Sequence, residues 1–243
     1  MFFFLDSRGP VDLAFTDRLG GVSAPPYDEL NLARSGGDDP ASVAENWRRV
    51  LARFAAGAST LAEMDQVHGA VVRTVDVAPS EVAECDGLVT AQRGVVLAVR
   101  VADCVPVLLA DAATSVVGAA HAGRLGLVEG VVPATVARMR ELGAQEIEAW
   151  IGPHVCEGCY EVPPAMREAV AETVPQSWAT TTWGTPSIDL GAGVAAQLAD
   201  AGVPVNDVAR CTRESPDLYS YRRDGDRAGR FAGLVRRRGG GHP

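Results

Sequence analysis

The chain has 243 residues, 47% apolar and 22% charged, with a formal net charge of -9 and no lysine. That balance is ordinary for a soluble globular protein and excludes a nucleic-acid binder, which needs a basic face against phosphate. Five scattered cysteines exclude a disulfide framework. The first residues lack a basic leader with a long apolar core, and no stretch approaches the ~20 apolar residues of a membrane span. A reducing cytoplasm is the expected compartment, with no membrane partner.

In chain order, VDLAFTDRLGGVS (11–23) reads as a strand ending in a Gly-Gly turn, followed by an irregular loop. Asp39 before Pro40 is a helix start with proline at the first helical position. The helix that follows puts Val43, Trp47, Val50, Leu51 and Phe54 on one stripe, and Glu45, Arg48, Arg49 and Arg53 opposite. Residues 66–77 alternate loosely as a strand, APSEVAECDG (78–87) is a polar loop, and VVLAVRV (95–101) is a buried strand. VPVLLAD (105–111) and SVVGAA (115–120) are β-branched, uninterrupted and separated by a short connector, so they form a hairpin. A helix is expected over 126–143, ended by Gly143 and kinked or started late at Pro133. A strand in IEAWIGP, helices at 163–174 and around 191–203, and a last strand in RFAGLVRR complete the pattern. The whole reads as a single α+β domain over residues 1–235, with an Arg/Gly-rich solvated tail over 236–243.

The hairpin organises the chemistry. Cys104 enters its first strand and His121 leaves its second, which places them at the same end of an antiparallel pair. His68 stands just ahead of another β-like run. A lone cysteine is ordinarily a small buried hydrophobe, but two histidines and a thiolate are a catalytic zinc set with the fourth position open. Asp103, beside Cys104, is the nearest carboxylate for acid/base work, with Glu129 and Glu161 as alternatives. Arg48, Arg124, Arg222 and Arg223 are candidate cations for an anionic substrate. Cys156 and Cys159 form a CxxC, but no second CxxC exists to complete a zinc ribbon, so a loop or packing role is expected.

Five motifs then occur in order: DQVHG (65–69), ADCVPVLLAD (102–111), HAGRLGLVEGVV (121–132), IGPHVCEGCYEV (151–162) and YSYRRDG (219–225). With GGVS, LNLA and VAENWRRV upstream, the chain resembles the peptidoglycan editing factor family, also called multicopper polyphenol oxidase or laccase-domain proteins. The resemblance covers nearly the whole chain. It implies a single-domain α/β/β/α layered sandwich with mixed sheets, cytoplasmic and monomeric or homodimeric. It also implies a zinc (or copper) held by His68, Cys104 and His121, and phosphorolysis of adenosine, inosine and methylthioadenosine with some adenosine deamination. Nucleoside and phosphate are the implied partners, with Arg48, Arg124, Tyr160 and Arg222 as substrate-binding residues. Two other classes stay open: a Cys–His amide hydrolase editing peptidoglycan precursors, with Cys104 as nucleophile and His121 as base, and a copper-dependent phenol oxidase. The family commonly reads HAGWRG where this chain has HAGRLG, which moves the arginine to Arg124. His154 stands where the family often has cysteine or alanine and is not carried over as a ligand.

Overall fold

The computed structural model describes residues 1–55, 60–76 and 83–239. Strands β1 (Phe2–Arg8) and β2 (Val11–Thr16) pair antiparallel around Gly9, whose φ of 52° suits the tight turn. Helix α1 (Pro40–Phe54) starts where the sequence places it, and the Asp39 carboxylate accepts from the Ala41 and Ser42 N–H groups. Its buried side adds one residue to the apolar stripe. Asn46 is fully buried; its amide donates to Ser23 Oγ and to the Glu29 and Asn31 carbonyls, and its oxygen accepts from Val22 N–H. That one side chain anchors the irregular loop ahead of the helix.

The short strands β3 (Thr60–Ala62), β4 (Met64–Asp65), β5 (Val72–Thr74), β6 (Ala83–Glu84) and β7 (Gly87–Thr90) lead into β8 (Val95–Val101). The hairpin is β9 (Val105–Asp111) with β10 (Val116–Ala122), followed by α2 (Arg124–Glu129), α3 (Val131–Glu141) and β11 (Glu148–Ile151). Then come α4 (Pro164–Thr173), β12 (Trp178–Thr180), β13 (Pro186–Ile188), α5 (Leu190–Asp200), β14 (Val205–Asp207), α6 (Tyr221–Asp224) and β15 (Phe231–Arg237).

Two mixed sheets stack, in strand orders β1-β2-β15-β8-β3 and β14-β11-β9-β10-β7-β5. The two-residue strand period sorts each strand's side chains between layers. In β9, Val105, Val107 and Leu109 join Leu127, Val131, Val136, Val194 and Leu198 of the helices, while Leu108 and Ala110 face the other sheet. In β8, Leu97, Val99 and Val101 point to the inter-sheet core, and Val96 and Ala98 pack with Trp47, Val50 and Phe54 of α1. The architecture is α/β/β/α, as expected. Strands covered on both faces need apolar residues at every position, which is why the hairpin reads as unbroken runs.

Four expectations change. The strand over 66–77 reduces to Val72–Thr74, because His68 adopts a left-handed φ of 64° that a strand cannot accommodate; Val77 and residues 78–82 of the polar loop lie outside the described residues. The helix over 126–143 is two helices parted at Gly130, φ 81°, with Pro133 in the first turn of the second, where its missing N–H costs nothing. The N-terminal residues, not foreseen as a strand, form edge strand β1. The arginine run is no solvated tail, at least through Arg238. Arg236 lies within β15, stacks on Phe54 at 5.4 Å and, with Arg238, binds the Asp12 carboxylate at 2.8–3.0 Å. Residues 240–243 lie outside the described residues.

Candidate active site

β9 and β10 register His121 opposite Pro106 and Ala122 opposite Val105, so Cys104 and His121 meet at one end of the hairpin. Gln66 brings the third member. Its side-chain amide donates to the Arg100 carbonyl and accepts the Arg100 N–H, at 2.8 and 2.9 Å, pinning the 66–70 loop to the end of β8. The ligating atoms of His68, Cys104 and His121 lie within 4.8 Å of one another, with His68 Nε2 3.8 Å from Cys104 Sγ and the two rings edge to face at 4.8 Å. Gly123 closes the ring of contacts: a Cβ there would stand 2.8 Å from His68 Cδ2 and 3.1 Å from Cys104 Sγ. Only glycine fits.

Asp86 underlies all of this. It is fully buried, and its carboxylate accepts three successive N–H groups, of Val67, His68 and Gly69, together with His121 Nδ1 at 2.7 Å. The left-handed turn at His68 curls those donors round one anion. Binding Nδ1 leaves His121 Nε2 for Cys104 or a metal, the usual second partner of a ligating histidine. Burial opposes the Asp86 charge, but His121 and the N–H donors outweigh it and hold the carboxyl below its usual range.

Burial also pushes the Cys104 thiol up, yet the charge of His121 and hydrogen bonds from His121 and His68 bring it down to about 6. For His121 burial favours the neutral ring; the Cys104 thiolate and the Asp86 hydrogen bond prevail and raise it to about 9. Each of the two groups thus favours the charged form of the other.

These groups open into a cavity of about 970 Å³, ample for a small polar ligand. Asp65, Gln66, Asp103, Tyr160 and Tyr221 line it, with four arginines: Arg34, Arg100, Arg222 and Arg230. Arg100 is buried, which disfavours its charge; Glu63 favours that charge, while Arg34 and Arg230 are near enough to oppose it. Arg100 also pairs with Glu63 at 3.2 Å and donates to the Met64 carbonyl, and Arg230 donates to the Ala228 and Gly229 carbonyls. The remaining N–H groups of Arg34, Arg100 and Arg230 suit an anion.

Of the residues singled out from sequence, His68, Cys104, Asp103, His121, Tyr160 and Arg222 line the cavity. Asp103 does not stand free as an acid or base. Its φ is 94°, and its two oxygens accept from Thr212 Oγ1 at 2.5 Å and Arg222 N–H at 2.6 Å. Arg222 stacks over Tyr160 at 4.5 Å and donates to the Glu161 carbonyl. Arg48 is not part of the cavity lining: it pairs with Glu45 on the solvent face of α1, where the helical stripe itself puts it. Arg124 opens α2 near Tyr160 but does not line the cavity. Arg223 is spent on the carbonyls of Thr212, Ser215 and Leu218. Glu161 accepts from Trp183 Nε1, Glu129 lies beside Gly69, and buried His154 binds the Gly152 carbonyl; none of the three lines the cavity.

Sequence reading missed Asp86 and the Arg34–Arg100–Arg230 wall. A signal existed for Arg100, the one charge in the otherwise apolar run VVLAVRV. Asp86 sat inside a polar loop with nothing local to mark it.

The profile of the family described as multi-copper polyphenol oxidoreductase laccase matches residues 12–238. The chain belongs to that family. Purine nucleoside phosphorylases of Streptomyces griseus and Streptomyces coelicolor are 52% and 51% identical to it, covering 93% and 95% of this chain and 94% and 97% of the relatives. One of Mycobacterium tuberculosis is 49% identical over 90% of this chain and 89% of its own length. Among solved structures, a Neisseria meningitidis protein superposes with a TM-score of 0.88 at 32% identity, and YlmD of Geobacillus stearothermophilus with 0.86 at 31%; each covers 98% of this chain and 99% of the neighbour. The fold and the family foreseen from the motifs are thus those of the molecule. No helix among the described residues is long and apolar enough to cross a membrane.

Proposed function

We propose that the protein is a zinc-dependent purine nucleoside phosphorylase acting on adenosine, inosine and methylthioadenosine, with adenosine deamination as a second reaction, in the cytoplasm. One observation carries the reading: a single cavity unites the His68–Cys104–His121 donor set with a wall of three arginines. The homologues named purine nucleoside phosphorylase agree with it.

The donor set fits zinc. A tetrahedral ion with bonds of about 2.0 Å to nitrogen and 2.3 Å to sulfur wants its donors some 3.5 Å apart. His68 Nε2 and Cys104 Sγ stand 3.8 Å apart, and the whole set lies within 4.8 Å, a modest contraction away. Asp86 supplies the orienting contact on His121. When bound, zinc supplies Lewis acidity at this point of the cavity. Three described donors are too few for a cluster of several coppers, and zinc has no redox chemistry of its own, so phenol oxidation is disfavoured.

The protein's own groups do the rest. Arg34, Arg100 and Arg230 hold phosphate, whose oxygen bonds to the ribose C1′ as the bond from C1′ to the purine nitrogen breaks. The electron pair leaves with the base, which takes up a proton. Tyr160, steadied by Arg222, offers a face for the purine. Asp65 lines the cavity with no side-chain hydrogen bond among the described residues, and we assign it to the ribose hydroxyls or the proton.

The Cys104–His121–Asp86 alignment favours a second reading, a cysteine hydrolase acting on an amide. One experiment separates the two. Adenosine or inosine with phosphate is followed by chromatography for free base and ribose 1-phosphate, before and after chelation and after zinc is restored. The phosphorylase falls silent on chelation and recovers with zinc. Absence of nucleoside turnover in protein verified to hold zinc overturns the proposal, and amide cleavage that survives metal removal selects the hydrolase.

A further inference from the structure

The CxxC left aside by the sequence acquires partners in the fold. A bridge pairs His154 with Cys211; His154 N–H donates to the Arg210 carbonyl at 3.1 Å and Thr212 N–H to the His154 carbonyl at 3.0 Å. The segments CEGC (156–159) and CTRE (211–214) therefore lie side by side. Each turns back on itself. Cys159 and Tyr160 N–H both donate to the Cys156 carbonyl at 3.0 Å, and Ser215 N–H to the Cys211 carbonyl at 3.1 Å. Such turns bring residues three apart to the same side. The three sulfurs and a Glu214 carboxylate oxygen consequently lie within 4.8 Å of one another, Cys159 Sγ 3.5 Å from Glu214 Oε1. Cys159 is buried, Cys156 and Cys211 half-buried, and Glu214 exposed.

We propose that Cys156, Cys159, Cys211 and Glu214 form a second metal site, which takes one structural zinc ion. Four donors match the closed tetrahedral set of structural zinc, and a contraction of about 1 Å brings the sulfurs to the roughly 3.8 Å spacing set by bonds near 2.3 Å. A disulfide would use two of the thiols and leave the third sulfur and the carboxylate without a role. Three thiols and a carboxylate gathered in one place also suit a cation, which takes the place of their protons on binding.

The site clamps the wall of the catalytic cavity. Tyr160, the cavity residue over which Arg222 stacks, follows ligand Cys159 directly. Thr212, the residue after ligand Cys211, donates to Asp103, and the carbonyl of Asp103 accepts Val155 N–H at 3.0 Å. The second ion would thus hold Asp103 and Tyr160 in place without touching substrate.

The test is metal content by mass spectrometry of protein purified without added metal. In a His68→Ala/Cys104→Ala variant, which lacks the first donor set, one equivalent of zinc remains. Adding Cys156→Ser and Cys211→Ser removes it. Because those serine variants can unfold, the unmodified chain is also alkylated under native conditions before and after chelation, with peptide mapping. Cys156, Cys159 and Cys211 are protected while zinc is bound and become reactive together when it is stripped. A zinc-free His68→Ala/Cys104→Ala protein that remains folded by circular dichroism overturns the proposal. So do alkylation of the three thiols unaffected by chelation and a mapped disulfide among them.

Discussion

The molecule holds two thiol clusters built on opposite plans. Around Cys104 the partners are imidazoles, with Asp86 behind one of them, and the thiol is brought down to about 6 at the mouth of a large cavity. Around Cys156, Cys159 and Cys211 the partners are other thiols and a carboxylate, and Cys156 and Cys159 are pushed up. A positive neighbour makes a thiolate available for chemistry; negative neighbours leave thiols that call for a cation. That difference supports the proposed division, in which the first cluster is the open catalytic site and the second a closed structural one.

The sharpest way to break that division is Cys104→Ala. It should take phosphorolysis and deamination down to the uncatalysed background, since two histidines alone hold zinc weakly, while any zinc in the second cluster stays. Loss of all zinc from this variant would merge the two sites.

Asp86→Ala should follow, with turnover or metal affinity down about 10–100-fold, the usual cost of removing a ligand's orienting partner. The buried donors it leaves unpaired add about 1–3 kcal/mol each of destabilisation, read by urea titration. Unchanged zinc affinity and turnover would show that Asp86 only organises the loop.

Cys211→Ser should be mainly a stability variant. A loss of about 2–3 kcal/mol corresponds to roughly 5–10 °C in Tm for a chain of this size. Its turnover, measured well below that Tm, should fall far less than that of Cys104→Ala. The reverse ranking would make the second cluster catalytic.

On the substrate side, Arg230→Gln should raise the phosphate KM by about tenfold, the worth of one charge-assisted contact, with deamination little changed. Arg124→Ala should raise it less, because Arg124 lies outside the cavity lining. A larger effect at Arg124 would move the phosphate toward α2.

The smallest effect on activity is expected at the far end of the same hairpin. Buried Asp111 accepts N–H groups of Ala113, Thr114, Gln145 and Glu146 at 2.7–3.0 Å. Burial opposes its charge, but the Thr114, Gln145 and Glu146 donors outweigh burial and lower its pKa. A depressed folded-state pKa means stabilisation present above the unfolded value near ~3.9 and lost as pH falls through the folded value. Asp111→Asn should therefore lower stability at neutral pH, flatten its acid limb and leave turnover unchanged.

The sequence by itself determined whatever depends on local periodicity. Unbroken β-branched runs marked the buried hairpin, Asp39-Pro40 marked the start of α1, and the short connector between β9 and β10 placed Cys104 and His121 at one end. His68 joined them as a second histidine just ahead of a β-like run, and its left-handed turn, which ended the strand expected there, was invisible in the pattern. Only the tertiary structure decided the rest. Asp86 became the support of the site when β10 took its place beside β7, so that one carboxylate faced both His121 and the 67–69 loop. Arg34, Arg100 and Arg230 come from a loop, a central strand and the approach to another, and CTRE met CEGC through a bridge between distant segments. A strand's period fixes which face a side chain takes, but the order in which strands pair fixes its neighbours. That order is set by burial over the whole core, which no short stretch of sequence records.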